Sequence, residues 1–145
     1  MKRTTIYATL VAALLVSATA WGISAAVDSP RSLMAPSDYN AAKSVIESDA
    51  RAASARCRAE EGQARDLCKA EAGADERIRK ADLEARYRGT VGAATDARIA
   101  RVKARYEVAK AKCSADHGSD RLSCIRNARV EKAREISEAK VASAT

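Results

Sequence analysis

Large aromatic side chains are nearly missing from this sequence. It has no phenylalanine, one tryptophan (Trp21) and four tyrosines among 145 residues. The apolar fraction of 47% owes much to alanine, which favours helix but contributes little area to a core. A chain so poor in bulk is a marginal globule unless something besides burial constrains it. Histidine is reduced to His117, with no nucleophile pattern around it. There is no phosphate-cradling glycine loop and no G-x-S-x-G elbow. Adjacent acids such as Glu60-Glu61 and Asp75-Glu76 point about 100° apart on a helix and cannot converge on a substrate. These absences argue against an enzyme, and no cofactor or metal is expected.

What the chain does have is four cysteines in two matched pairs, Cys57/Cys68 and Cys113/Cys124, each with ten residues between them. Each pair brackets a glycine, Gly62 or Gly118. A shift of 56 residues superposes the pairs and also aligns Ala53 with Ala109, Ala55 with Ala111, Ala59 with Ala115, Arg65 with Arg121 and Ala72 with Ala128. The pattern reads as an internal repeat of one small unit.

Residues 1–26 read as a signal peptide. Lys2 and Arg3 precede an apolar stretch from Ile6 to Val16, and small residues follow. Ala18-Thr19-Ala20 would place cleavage after Ala20, and Ser24-Ala25-Ala26 after Ala26; the second is preferred because Trp21 and Ile23 still read as apolar. An uncleaved inner-membrane anchor is the alternative, since residues 6–26 carry no charge and a span needs about 20 residues. The expected location is the periplasm, where paired cysteines oxidise to disulfides. Cleavage would remove Lys2 and Arg3 and no acid, taking the net charge from +7 to +5. The charges are mixed along the chain, as on a solvated helix surface.

The expected fold class is all-α: two disulfide-stapled antiparallel helical hairpins, four helices in all, arranged as a thin bundle or an elongated tandem. Residues 27–37 hold both prolines and read as a flexible leader, with Ser37 as the first N-cap. The first hairpin spans 38–89, with Gly62 at its turn and Gly89 ending its second helix. The second spans 90–145, with Thr95 as N-cap of the third helix, Gly118 at the turn, Ser119 capping the fourth helix and a frayed tail.

The third helix carries the clearest stripe, Ile99, Val102, Tyr106, Ala109 and Cys113. The matching line in the first, Tyr39, Lys43, Ile46, Ala50, Ala53 and Cys57, is interrupted by a lysine, so the first unit is expected to lean harder on its staple. In the second helix Leu67, Ala74, Ile78, Ala81 and Ala85 share a face while Leu83 and Tyr87 lie elsewhere. The fourth offers Leu122, Ile125 and Ile136. Acids are expected to pair with bases one turn on: Asp75–Arg79, Glu76–Lys80, Asp82–Arg86 and Glu84–Arg88.

Pairing within each unit, Cys57–Cys68 and Cys113–Cys124, is preferred because each pair is nearly symmetric about its glycine and would face across a hairpin. If the glycines did not break the helix, the two cysteines would stand about 16.5 Å apart along it, and pairing between units would be needed. Zinc is disfavoured, because no cysteine ligands lie two to four residues apart; His117 beside Gly118 reads instead as part of a helix C-terminal cap.

Residues 37–90 (SDYNAAKSVIESDARAASARCRAEEGQARDLCKAEAGADERIRKADLEARYRGT) resemble small exported proteobacterial Ala/Lys-rich proteins that carry C-x10-C helical units followed by an A-D-L-E-A-R-Y type segment. Such proteins are often labelled TolA-like or cell-envelope biogenesis proteins, a label that tracks shared helix composition. The resemblance extends over about residues 37–142 and brings no catalytic residues. It weakens at Glu135-Ile136-Ser137, and Arg88-Gly89-Thr90 stands where the family carries Lys-Pro-Thr.

The functional expectation is a non-enzymatic periplasmic protein with a structural or interaction role at the cell envelope. Its partner would be an envelope or periplasmic protein, with weak contact to anionic surfaces; a homo-oligomer is compatible. The alternatives are a polyanion-binding module, for lipopolysaccharide, nucleic acid or an acidic partner, and a periplasmic chaperone. Nucleic acid is the least favoured of these partners, because export removes the chain from it and the bases do not form one run.

Overall fold

The computed structural model describes residues 34–143, and the segment read as a signal peptide (1–26) and most of the expected leader (27–37) lie outside them. Four helices make up the described chain: α1 (Pro36–Arg56), α2 (Gly62–Arg88), α3 (Val91–Lys112) and α4 (Gly118–Val141). No strand occurs among the described residues. The protein is all-α, with its two hairpins stapled by Cys57–Cys68 and Cys113–Cys124.

The helix ends follow local chemistry, with some shifts from expectation. Pro36 takes the first position of α1, where its missing N–H costs nothing, and Ala35 is the N-cap. Pro36 and Ser37 are therefore helical, and Ser37 is not the cap. α3 starts at Val91 because the Thr90 hydroxyl accepts from the Ala93 N–H at 3.1 Å. Thr95, the expected cap, lies inside the helix and donates to the Val91 carbonyl. Ser119 likewise falls within α4, whose N-cap is His117. α2 ends on Gly89 in the left-handed region (φ 61°), its N–H closing on the Ala85 carbonyl at 2.9 Å. α1 and α3 each tighten into a 3-10 turn that begins at the cysteine, Cys57–Ala59 and Cys113–Ala115, so both stop earlier than the glycines alone suggested.

Gly89 and Thr90 are the whole connection between α2 and α3, and these helices form the most extensive interface. α1 packs on α2 and α4 on α3, so each helix meets its neighbours in the chain. The α1–α2 pairing runs antiparallel, as Tyr39 meets Tyr87 and Glu84 while Asp49 meets Arg79. Three successive reversals place both staples at one end of the molecule and the α2–α3 connection at the other. The result is a thin bundle.

The core is correspondingly small. Ile46, Leu83 and Val102 are its larger aliphatic members, joined by Ala74, Ala93, Ala97, Ala104, Ala139 and the half-cystines Cys57 and Cys113. Residues 56 apart take matching places: Ile46 corresponds to Val102, Leu83 to Ala139 and Cys57 to Cys113, all buried. α2 has two occupied faces. Ala74 lies opposite Leu83 at 100° per residue, and Leu83 shares its side with Lys80 and Tyr87, which reach α1. Leu83 is only 1% exposed and is the largest fully buried side chain. Leu122, a candidate for burial, is instead 64% exposed on α4.

Candidate functional site

The cysteines are committed to structure. Cα separations of 5.5 Å for Cys57–Cys68 and 5.7 Å for Cys113–Cys124 fit ordinary disulfides, and no free cysteine is left. The turn glycines Gly62 and Gly118 begin α2 and α4 with φ of 51° and 54°. His117 precedes Gly118 in extended conformation and starts α4 through its carbonyl, which accepts from the Asp120 N–H at 3.3 Å. It therefore belongs to an N-terminal cap, not a C-terminal one. The 3-10 turn ending at Ala115 already closes α3, leaving Asp116 and His117 extended. Among the described residues no cluster of three metal-ligating side chains occurs.

Charge organises the surface into ion pairs both between helices and within them. The Arg79 guanidinium donates to Asp49 at 2.8 Å, and this bond raises the basicity of Arg79. Lys80 is held between Glu76 (2.7 Å) and Glu47 (3.2 Å); both hydrogen bonds raise its pKa, Glu76 the more. On the other hairpin Arg105 meets Glu135, and Arg134 bridges Glu131 and Glu138. The Arg134 hydrogen bond lowers the Glu131 pKa, and Arg134 itself is raised. Lys132 stands 4.0 Å over the Tyr106 ring, which is a cation–π contact. The Tyr39 hydroxyl donates to Glu84 at 2.9 Å, raising the phenol pKa.

Three of the four expected one-turn pairs form, namely Asp75–Arg79, Glu76–Lys80 and Glu84–Arg88. The fourth does not. Asp82 turns to α3, where Arg101 Nη2 reaches both of its carboxylate oxygens at 2.7 and 2.8 Å. Arg86 is left without a side-chain partner among the described residues. This rearrangement borders a groove of about 750 Å3 that runs between α1 and α3 over α2. Its walls carry Ala42, Val45, Ile46, Ala85, Ala94 and Ala97, with Arg79, Asp82, Arg86, Arg98 and Arg101 around them. The groove needs three helices from both hairpins, so neither its existence nor the switch of Asp82 follows from local spacing. The only sequence signal was the surplus of arginine near residues 79–101.

The chain matches no family model, no curated protein and no solved structure in the comparisons made. Its function must be argued from its own residues.

Proposed function

We propose that this is a non-enzymatic periplasmic protein that acts through contacts with an envelope or periplasmic partner. The observation carrying this reading is the form of the molecule: two disulfides stitch one end of a thin helical layer whose charged faces stay open. The two disulfides support an oxidising, extracytoplasmic compartment. Among the described residues no helix is long and apolar enough to cross a membrane. A layer with so small a core offers much surface per residue, which suits a scaffold or adaptor better than a reaction site. The signal peptide and the resemblance to envelope proteins of repeated C-x10-C units support the same reading. Removing the protein should raise sensitivity to detergents or to envelope stress. Clear turnover of an envelope substrate by the purified mature protein would sink the proposal.

One observation favours the polyanion alternative: four arginines and a single acid, Asp82, surround the α1–α2–α3 groove. Binding of that kind weakens with salt, because the exposed charges are screened. Retention on lipopolysaccharide or an acidic protein that survives high salt would count against it.

A further inference from the structure

The grooves of this surface differ in how their charges balance. Between α2 and α3 on the stapled half, Lys69, Arg77 and Lys110 face Asp66 and Glu107, three bases to two acids. The α1–α2 groove has the same ratio, and the α3–α4 groove has four arginines to two acids. The groove over α2 has the largest excess of these, four arginines to the one acid Asp82. Two of its arginines are already neutralised, Arg79 by Asp49 and Arg101 by Asp82. The other two, Arg86 and Arg98, have no side-chain partner among the described residues.

Their placement is what matters. α2 and α3 run antiparallel about Gly89 and Thr90, so Arg86 and Arg98 occupy the register of the Asp82–Arg101 pair, one turn nearer the connection. Where that register would place an acid against a base, it sets two guanidiniums on one groove, a repulsive arrangement that an anion between them relieves. Guanidinium forks suit a carboxylate in particular. Beside them the groove is apolar and lined by small side chains, with Val45 left 55% exposed on its α1 wall. The unsatisfied charge thus sits at one point, and the rest of the groove asks for hydrocarbon.

We propose that this groove binds a single-chain anionic amphiphile, a fatty carboxylate, with its head between Arg86 and Arg98 and its tail beside Ala42, Val45, Ile46 and Ala97. The proposal stands apart from the envelope-contact reading and does not need it. A partner helix carrying acids is the competing occupant. The walls extend for only about two helical turns (79–86 and 94–101), and the open charge calls for one head rather than a row of acids, so the carboxylate fits better.

The test is a titration of the oxidised, exported protein, isotope-labelled for amide NMR, with sodium laurate below its micelle concentration. Saturable shifts are expected at Val45, Ala85, Ala97 and Arg98. Sodium acetate, head without tail, should give none at the same concentration, and dodecyl maltoside, tail without charge, should bind at least about ten-fold more weakly. Arg86→Gln with Arg98→Gln should weaken laurate by about ten-fold or more. Arg126→Gln with Arg129→Gln, the same loss of charge on α4, should leave it unchanged. Val45→Asn gives a second, independent reading by weakening the tail contact while keeping both guanidiniums. Equal affinity for maltoside, unchanged laurate binding in the Arg86/Arg98 variant, or binding only of a glutamate-bearing amphipathic peptide would each overturn the proposal.

Discussion

At the scale of single residues, two glycines show that empty space does not decide a substitution. A Cβ added at Gly73 or at Gly118 meets no atom within 4 Å. Gly73 lies inside α2, so Gly73→Ala should stabilise the protein by about 1 kcal/mol through helix propensity alone. Gly118 holds φ at 54°, where an L side chain crowds the following carbonyl, so Gly118→Ala should cost about 1 kcal/mol or more. Urea midpoints of the two variants should move in opposite directions. Tyr39 gives a pH prediction. Its phenol is raised by the hydrogen bond to Glu84, so the bond's stabilisation is fully present below the unfolded phenol pKa of about 10 and is lost as pH climbs through the higher folded value. Tyr39→Phe should therefore flatten the alkaline decline of stability. An identical decline in both proteins, followed by urea midpoint against pH, would show that the Tyr39–Glu84 bond contributes nothing to it.

At the scale of helices, what could be read from the sequence depended on contrast. The stripe through Val102, Tyr106 and Cys113 was legible because large residues stand out from charged ones, and the structure turns it to α4, with Tyr106 and Lys132 in contact. The opposite face of α3, formed by Ala93, Ala97 and Ala104, went unread because alanine gives no contrast in a chain full of it. Yet that face builds the largest interface, and Ala104 is 0% exposed. α2 looked irregular for the same reason: its Ala74 side and its Leu83 side are both occupied, and two faces blur one period. A matched pair of variants tests this. Ala104→Leu should cost about 1–3 kcal/mol by overpacking. Ser48→Leu, at the corresponding but exposed position of α1, should stay within about 0.5 kcal/mol. Similar thermal shifts for both would contradict the two-faced packing of α3.

At the scale of the molecule, the staples were the most legible feature, since cysteine spacing and a central glycine point to one hairpin geometry. The groove was the least legible, because it depends on Asp82 choosing Arg101 across the α2–α3 interface over Arg86 in its own helix. Packing also reverses the expected weakness of the first hairpin. Ile46 and Leu83 fill it, with the Tyr39–Tyr87 ring contact at 4.5 Å, where the second hairpin has Val102 and Ala139 at the corresponding buried positions. Each staple constrains a short loop and is worth on the order of 3 kcal/mol in the chain-entropy model. Converting Cys113 and Cys124 to serine should therefore release α4 further than the same change at Cys57 and Cys68 releases α1. Hydrogen exchange on the two variants would read it, and equal losses of protection throughout would mean that all four helices open as one unit.

The reversals of the chain also give the molecule a head and a foot. Both staples mark one end, while the described chain enters at Met34 and leaves after Ser143 on the side of the α2–α3 connection. A surface or label attached at Met34 or Ser143 would hold that foot close and turn the stitched end outward. α2 alone is about 40 Å long, so the two ends would report on different distances from the point of attachment.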